Sequence, residues 1–296
     1  MADDALIAHL ADTALWMATI RAVESRRPDA VFRDELAAHL SGDQAMRIQR
    51  SIPDAVLVSW AVVMRTSAID RLIGSALRER IDTVVNLGAG LDARPYRLRL
   101  PADLRWIEVD FPQLVAHKES RLRGRRPNCV LERIGMDLRE RSKRNGLFAS
   151  LGVESERTLL ITEGLIPYLS VEEAAALAHD ARAIPAIRYW IQDFDDAGER
   201  RSLCGTWDGA LKAAPRQFHV KDWFKFFLNA GWSPRERITS AEEAARVGRP
   251  LPLTFPRGML MRILPASMGR KILSRSGAVL MEPWDPRKPG ASTQSR

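Results

Sequence analysis

The chain has 296 residues, 46% apolar and 28% charged, ordinary globular usage that excludes a disordered, collagenous or disulfide-stapled protein. Its net charge of +8 is uneven: residues 249–296 hold nine basic groups against Glu282 and Asp285, so the rest is nearly neutral. No basic patch interleaved with aromatics and no nucleic-acid reading module appears, so nucleic acid is not expected as a partner. The basic end reads either as a field around a site for an anionic partner or as plain solvated charge. Membrane-surface contact by GMLMRILPASMGRKILSR is disfavoured by Pro265 in its middle. Cys129 and Cys204 are too few for a disulfide framework or a thiolate metal site and suit reduced, cytoplasmic thiols. No apolar run reaches the roughly 18 residues of a membrane span. The start, MADDALIAHL, lacks the basic region of a signal peptide.

At this length the chain reads as a single domain, 1–296, with helices over 1–80, an alternating core over 81–195 and insertions at 196–221 and 241–276. In the first part, Leu6, Leu10, Ala14, Met17 and Ile20 recur at helical spacing. FRDELAAHLSG is a short helix closed by Gly42, and AVLVSWAVVMRTSAIDRLIGSAL a third, strongly apolar one. IDTVVNLG is a β-branched run ending in glycine, as a strand buried on both faces should be. LRWIEVDF is the second strand and PQLVAHKESRL its helix; CVLERIGMDL and RTLLITEG are the third and fourth strands. VEEAAALAHDARA is a helix with Ser170 as N-cap and Glu173 completing a capping box. IRYWIQDF is the fifth strand and DWFKFFLNAGW a further helix, while WSPRERIT and GAVLMEPW form a last pair of strands. Repeated strand–helix units predict a doubly wound α/β sheet with its ligand at the carboxyl ends of the strands. The two insertions fit the rhythm poorly and are expected to cover that edge.

Three motifs carry chemistry. In VVNLGAGLDARPYR a strand runs into Gly88 and Gly90, where missing Cβ atoms permit a tight turn and close approach of a ligand. Twenty residues past Gly90 stands Asp110, a spacing suited to a carboxylate on the two hydroxyls of a ribose. The third glycine of a dinucleotide fingerprint is missing, and Asp92 stands in its place, where a carboxylate would repel a pyrophosphate. An adenosine cofactor without phosphates is expected, namely S-adenosyl-L-methionine. Asp137 and Leu138 follow the third strand and could meet the adenine amino group and cover its ring, with a plain helix cap as the alternative. Glu163 ends an apolar strand and needs a cationic partner. The cofactor's amino group would serve, with Arg65 clamping its carboxylate. The alternative is an Arg65–Glu163 salt bridge.

The ordered set VESRRPDAVFRDELAAHL, RTSAID, VNLGAGLDARPYRL, WIEVDFP, DLR and ITEGLIPYLSVEE resembles the leucine carboxyl methyltransferase family over about residues 20–180. That family includes polyketide O-methyltransferases and enzymes that methylate the terminal leucine of protein phosphatases. The resemblance implies a class I, Rossmann-like methyltransferase fold of seven strands, the last antiparallel. It places cofactor contacts on Arg65, Gly88, Asp110, Asp137, Leu138 and Glu163. Two departures, Glu35 where many relatives have proline and Ala93 where threonine is usual, touch none of these. A nicotinamide dehydrogenase would need a glycine near position 93, and a non-catalytic binding protein would merely retain the fold. Tyr168 is the residue expected to line the acceptor site, with core packing as the bland reading, while His179 reads as surface or core. His219, beside Trp223 and Phe224, is a weak general-base candidate. Trp207, Trp223 and Trp232 suit an aromatic acceptor or an ordinary core equally well. No metal is expected, and the expected partner is a small anionic or aromatic acceptor.

Overall fold

The computed structural model describes residues 2–42, 55–195, 216–252 and 274–287. Seven strands form one sheet: β1 (Thr83–Leu87), β2 (Arg105–Asp110), β3 (Val130–Gly135), β4 (Thr158–Thr162), β5 (Ile187–Asp195), β6 (Trp232–Thr239) and β7 (Ser276–Pro283). Their order is β3-β2-β1-β4-β5-β7-β6, with β7 antiparallel to both neighbours. This is the seven-stranded arrangement expected from the sequence. The helices among the described residues are α1 (Ala2–Ser25), α2 (Ala37–Ser41), α3 (Ala55–Leu77), α4 (Arg94–Arg97), α5 (Pro112–Arg121), α6 (Arg141–Glu154), α7 (Val171–Arg182), α8 (Trp223–Asn229) and α9 (Ser240–Val247).

β1 and β4 are buried along their whole length, and successive residues feed opposite faces. Val85, Leu160 and Trp190 pack with Phe148 of α6, Leu177 of α7 and Phe227 of α8. Val84, Leu159 and Ile191 pack with Ile69, Leu72 and Ile73 of α3. Both layers cover the sheet, which is why its central strands read as unbroken apolar runs. The two edges differ. β6 carries Pro234, and its pairing with β7 shifts register between Pro234 and Glu236, whereas β3 keeps an unbroken register with β2.

Most expected elements are found. α3 has the expected limits, Gly42 closes α2 at φ 62°, and Ser170 and Glu173 form the capping box of α7. In α1, Ile20 is buried and Ala14 and Met17 line the central cavity; the side chains of Leu6 and Leu10 lie outside those described. Three helices escaped the sequence reading, the four-residue α4 among them. α6 was not anticipated between β3 and β4. α9 falls in a stretch expected to be an insertion, yet it has its own capping box from Thr239 and Glu242. It docks on α3 through Glu243, whose buried carboxylate accepts from Ser67 Oγ at 2.5 Å and Arg71 Nη1 at 2.6 Å. The remaining cover segments, 196–215 and 253–273, lie outside the described residues, as do Cys204, Trp207 and most of the GMLMRILPASMGRKILSR stretch.

Candidate active site

A cavity of about 420 Å³ opens at the carboxyl ends of β1, β2, β4 and β5. Its floor is the turn after β1. Gly88 and Gly90 hold φ values of 69° and 50°, in the left-handed region where a side chain is strained. A Cβ on Gly88 would also press on Leu165 Cδ1 at 3.3 Å. The β1–β2 register sets Leu87 beside Val109, so Gly88 and Ala89 donate their N–H groups to the Val109 carbonyl. One residue further, the Asp110 carboxylate accepts from Gly90 N at 2.6 Å and Phe111 N at 2.7 Å. The twenty-residue spacing is thus realised as a direct contact. Two N–H bonds leave acceptor capacity on this carboxylate for the hydroxyl pair of a ribose. Burial lifts the Asp110 carboxyl above its ordinary range, although both N–H groups pull the other way.

Beside the turn lies a network that sequence reasoning saw only in part. Arg65 Nε donates to Glu163 at 3.1 Å and its Nη1 to Asp193 at 3.0 Å. Arg94 donates to Glu163 at 2.6 Å, to Asp92 at 2.8 Å and to Asp70 at 2.7 Å, with its side chain only 2% exposed. Arg97 adds a forked pair to Asp70. Burial alone would raise the Glu163 pKa, but Arg94 and Arg65 outweigh it and hold the carboxyl below its usual range. Asp92 is likewise held far below the usual range; its burial is overcome by Arg94, Lys118, Arg97 and Arg21. The Arg65–Glu163 bridge, one of the two readings of that pair, is therefore present, and both residues also line the cavity.

Asp137 and Leu138 line the same cavity after β3. Asp137 forms a forked pair with Arg139, which holds it below its usual range despite partial burial. Tyr168 follows Glu163 in a short 3-10 turn, Ile166–Tyr168, and lines the wall. His179 lies on α7 and does not line the cavity; neither does His219, which is exposed with Nε2 3.0 Å from the Arg216 carbonyl. Trp223 reaches the cavity, whereas Trp232 is wholly buried and bonds the Ala178 carbonyl.

Three residues of the site were missed: Arg94, Asp193 and Arg216. Asp193 stands near the end of β5 as Glu163 stands after β4, a polar residue closing an apolar strand, and that signal was available. Arg94 sat unread inside LDARPYR. Arg216 lay in a segment without periodicity.

The donor set fits a cationic, phosphate-free ligand. Asp92, Asp110, Asp137, Glu163 and Asp193 all face the cavity, and ionised Asp92 stands where a pyrophosphate would have to sit. A sulfonium and an ammonium group suit such a wall. Fold and site together define a class I S-adenosyl-L-methionine-dependent methyltransferase.

The comparisons sharpen this. Residues 14–181 match the family model described as leucine carboxyl methyltransferase, and the chain belongs to that family. It is 32% identical over 267 residues to an S-adenosyl-L-methionine-dependent methyltransferase of Parafrankia sp. (strain EAN1pec), covering 82% of this chain and 83% of that one. A similarly named protein of Streptomyces avermitilis is 35% identical over 179 residues, 56% of this chain and 61% of the other. Among solved structures, a DUF574-family protein of Streptomyces avermitilis has a TM-score of 0.54 at 12% identity, covering 90% of this chain and 97% of that one, a likeness of fold. Among the described residues, no helix is long and apolar enough to cross a membrane, and no cluster of metal-ligating groups occurs.

Proposed function

We propose that the enzyme transfers a methyl group to an oxygen of a small organic acid, giving a methyl ester. A phenol is the second choice of acceptor. The observation that carries this reading is Arg216. Of the arginines lining the cavity, Arg21 pairs with Asp34 at 2.9 Å, Arg65 and Arg94 are shared among carboxylates, and Arg139 is forked onto Asp137. Among the described residues, the Arg216 guanidinium makes one long contact, 3.5 Å to Asp195. It is the guanidinium with most capacity left for an incoming anion. Backbone bonds from Gln217 and Phe218 to the Pro167 carbonyl hold its segment beside Tyr168.

Bound S-adenosyl-L-methionine supplies an electrophilic methyl on a sulfonium. In this reading Asp110 holds the ribose, with Gly88 and Gly90 giving it room. Asp137 and Leu138 take the adenine, Glu163 and Asp193 the amino group, and Arg65 the carboxylate. Tyr168 and Arg216 align the acceptor oxygen for in-line attack. A carboxylate, with a reference pKa of about 4, needs no base, whereas a phenol at about 10 does. Among the described residues lining the cavity there is no histidine, lysine or cysteine to serve as one. The family description supports a protein C-terminal carboxylate as the alternative acceptor.

The test is to incubate the enzyme with a cell extract and methyl-labelled cofactor, then size the labelled product and treat it with mild alkali. A small molecule that releases methanol is expected. Label on a protein C-terminus would favour the alternative, an alkali-stable ether would favour the phenol, and label on nitrogen or carbon would refute O-methylation.

A further inference from the structure

A second cavity, about 620 Å³, lies at the opposite edge of the sheet, where β4, β5 and β6 begin and β7 ends. Five arginines line it: Arg157, Arg182, Arg188, Arg235 and Arg287. Two are already spent. Arg235 is held by Glu79, Glu282 and the Tyr189 hydroxyl, and Arg287 by Asp285. The other three are not. Arg157 uses its Nε on the Glu79 carbonyl at 2.7 Å, and Arg182 uses its Nε on the Gly231 carbonyl at 3.1 Å. In each case the bond fixes the guanidinium while leaving both Nη groups uncommitted among the described residues. Arg188, exposed at the start of β5, has no partner among the described residues. Arg182 lies in the last turn of α7, yet it bonds Gly231 rather than the carbonyls of its own helix, so the helix end does not consume its charge. Trp284, 37% exposed, gives the groove one apolar wall, and its backbone N–H donates to the Gly231 carbonyl at 2.8 Å.

Forked N–H groups match the paired oxygens of a phosphate, and two tethered guanidiniums with Arg188 beside them exceed what a single monoanion requires. The acidic side chains of the groove, Glu282 and Asp285, are both engaged in ion pairs. We infer that this groove binds the diphosphate group of a soluble phosphorylated molecule, separately from the methyl-transfer cavity, with Trp284 against the ligand's organic part. The two sites differ in balance: the transfer cavity's arginines are for the most part paired with its carboxylates, whereas three of the groove's five arginines are not spent on acidic groups.

Calorimetric titration of the full chain with inorganic pyrophosphate, in saturating S-adenosylhomocysteine, tests this. One saturable site is expected, weakened at least tenfold in Arg182→Gln/Arg188→Gln. Arg188→Gln alone, at an exposed strand position, should weaken binding with an unchanged melting temperature and unchanged S-adenosylhomocysteine affinity. The proposal is overturned if no saturable binding appears, if the variants bind like the parent, or if sulfate at equal ionic strength displaces pyrophosphate fully. Sedimentation with phosphatidic acid vesicles without uptake of free pyrophosphate would overturn it too, since a lipid headgroup would then be the source.

Discussion

Asp110 is set apart from the other carboxylates of the cavity by what surrounds it. Burial raises its pKa and outweighs the backbone N–H groups and the Lys118 charge that oppose it, while Glu163 and Asp137 are held low by arginines. On acidification, Asp110 is therefore the first of the three to take a proton. A ribose hydroxyl is better received by the ionised form, so cofactor affinity should be full above the raised pKa and fall as pH drops through it. Calorimetry with S-adenosylhomocysteine should show this loss beginning above the ordinary aspartate value of about 4. Asp110→Asn should flatten the profile and cost at least about tenfold in affinity near neutrality, one charge-assisted bond's worth. A pH-independent affinity in the parent enzyme would sink the ribose assignment. Asp110 itself was legible, because a strand end and a glycine loop fix the spacing between two groups that must meet. Arg94 was not. Its three carboxylate partners come from α3, the β1 turn and the end of β4, and no periodicity links them.

Strands and apolar helices declared themselves because burial on both sheet faces demands continuous runs, and burial on one face demands a stripe. α6 and α9 did not: α6 opens on a run of polar residues and carries two glycines, and α9 is only eight residues long and adds the Glu243 network to the apolar contact of Ala244. Its capping box, Thr239 with Glu242, was nonetheless in plain view. The antiparallel β6–β7 pair depends on a single residue size. Gly277 faces Thr239 in the register, and a Cβ there would run into the Ile238 carbonyl oxygen. Gly277→Ala should accordingly destabilise the protein by about 1–3 kcal/mol through overpacking. Urea unfolding would measure the loss, and a variant as stable as the parent would show that the pair can separate to admit a methyl group.

Across the whole molecule, the order of the strands and the identity of the cofactor were readable, because both follow from motifs kept in sequence. The acceptor was not, because the residues proposed to face it, Tyr168 and Arg216, come from the loop beyond β4 and from a stretch whose sequence shows no periodicity. The same sheet order has a consequence for behaviour at high concentration. A sheet that does not close leaves two rows of unpaired backbone groups, and proteins blunt such rows with proline, bulges and charge. β6 has all three: Pro234, the register shift beside it, and the flanking Arg235 and Arg237. β3 has neither proline nor bulge, and Val130 stands 55% exposed at its start. Self-association on warming should therefore begin at β3, by strand joining strand between molecules. Val130→Lys should delay the onset of light scattering in a thermal ramp, whereas Arg237→Lys, on the edge that is already blunted, should leave it where it was.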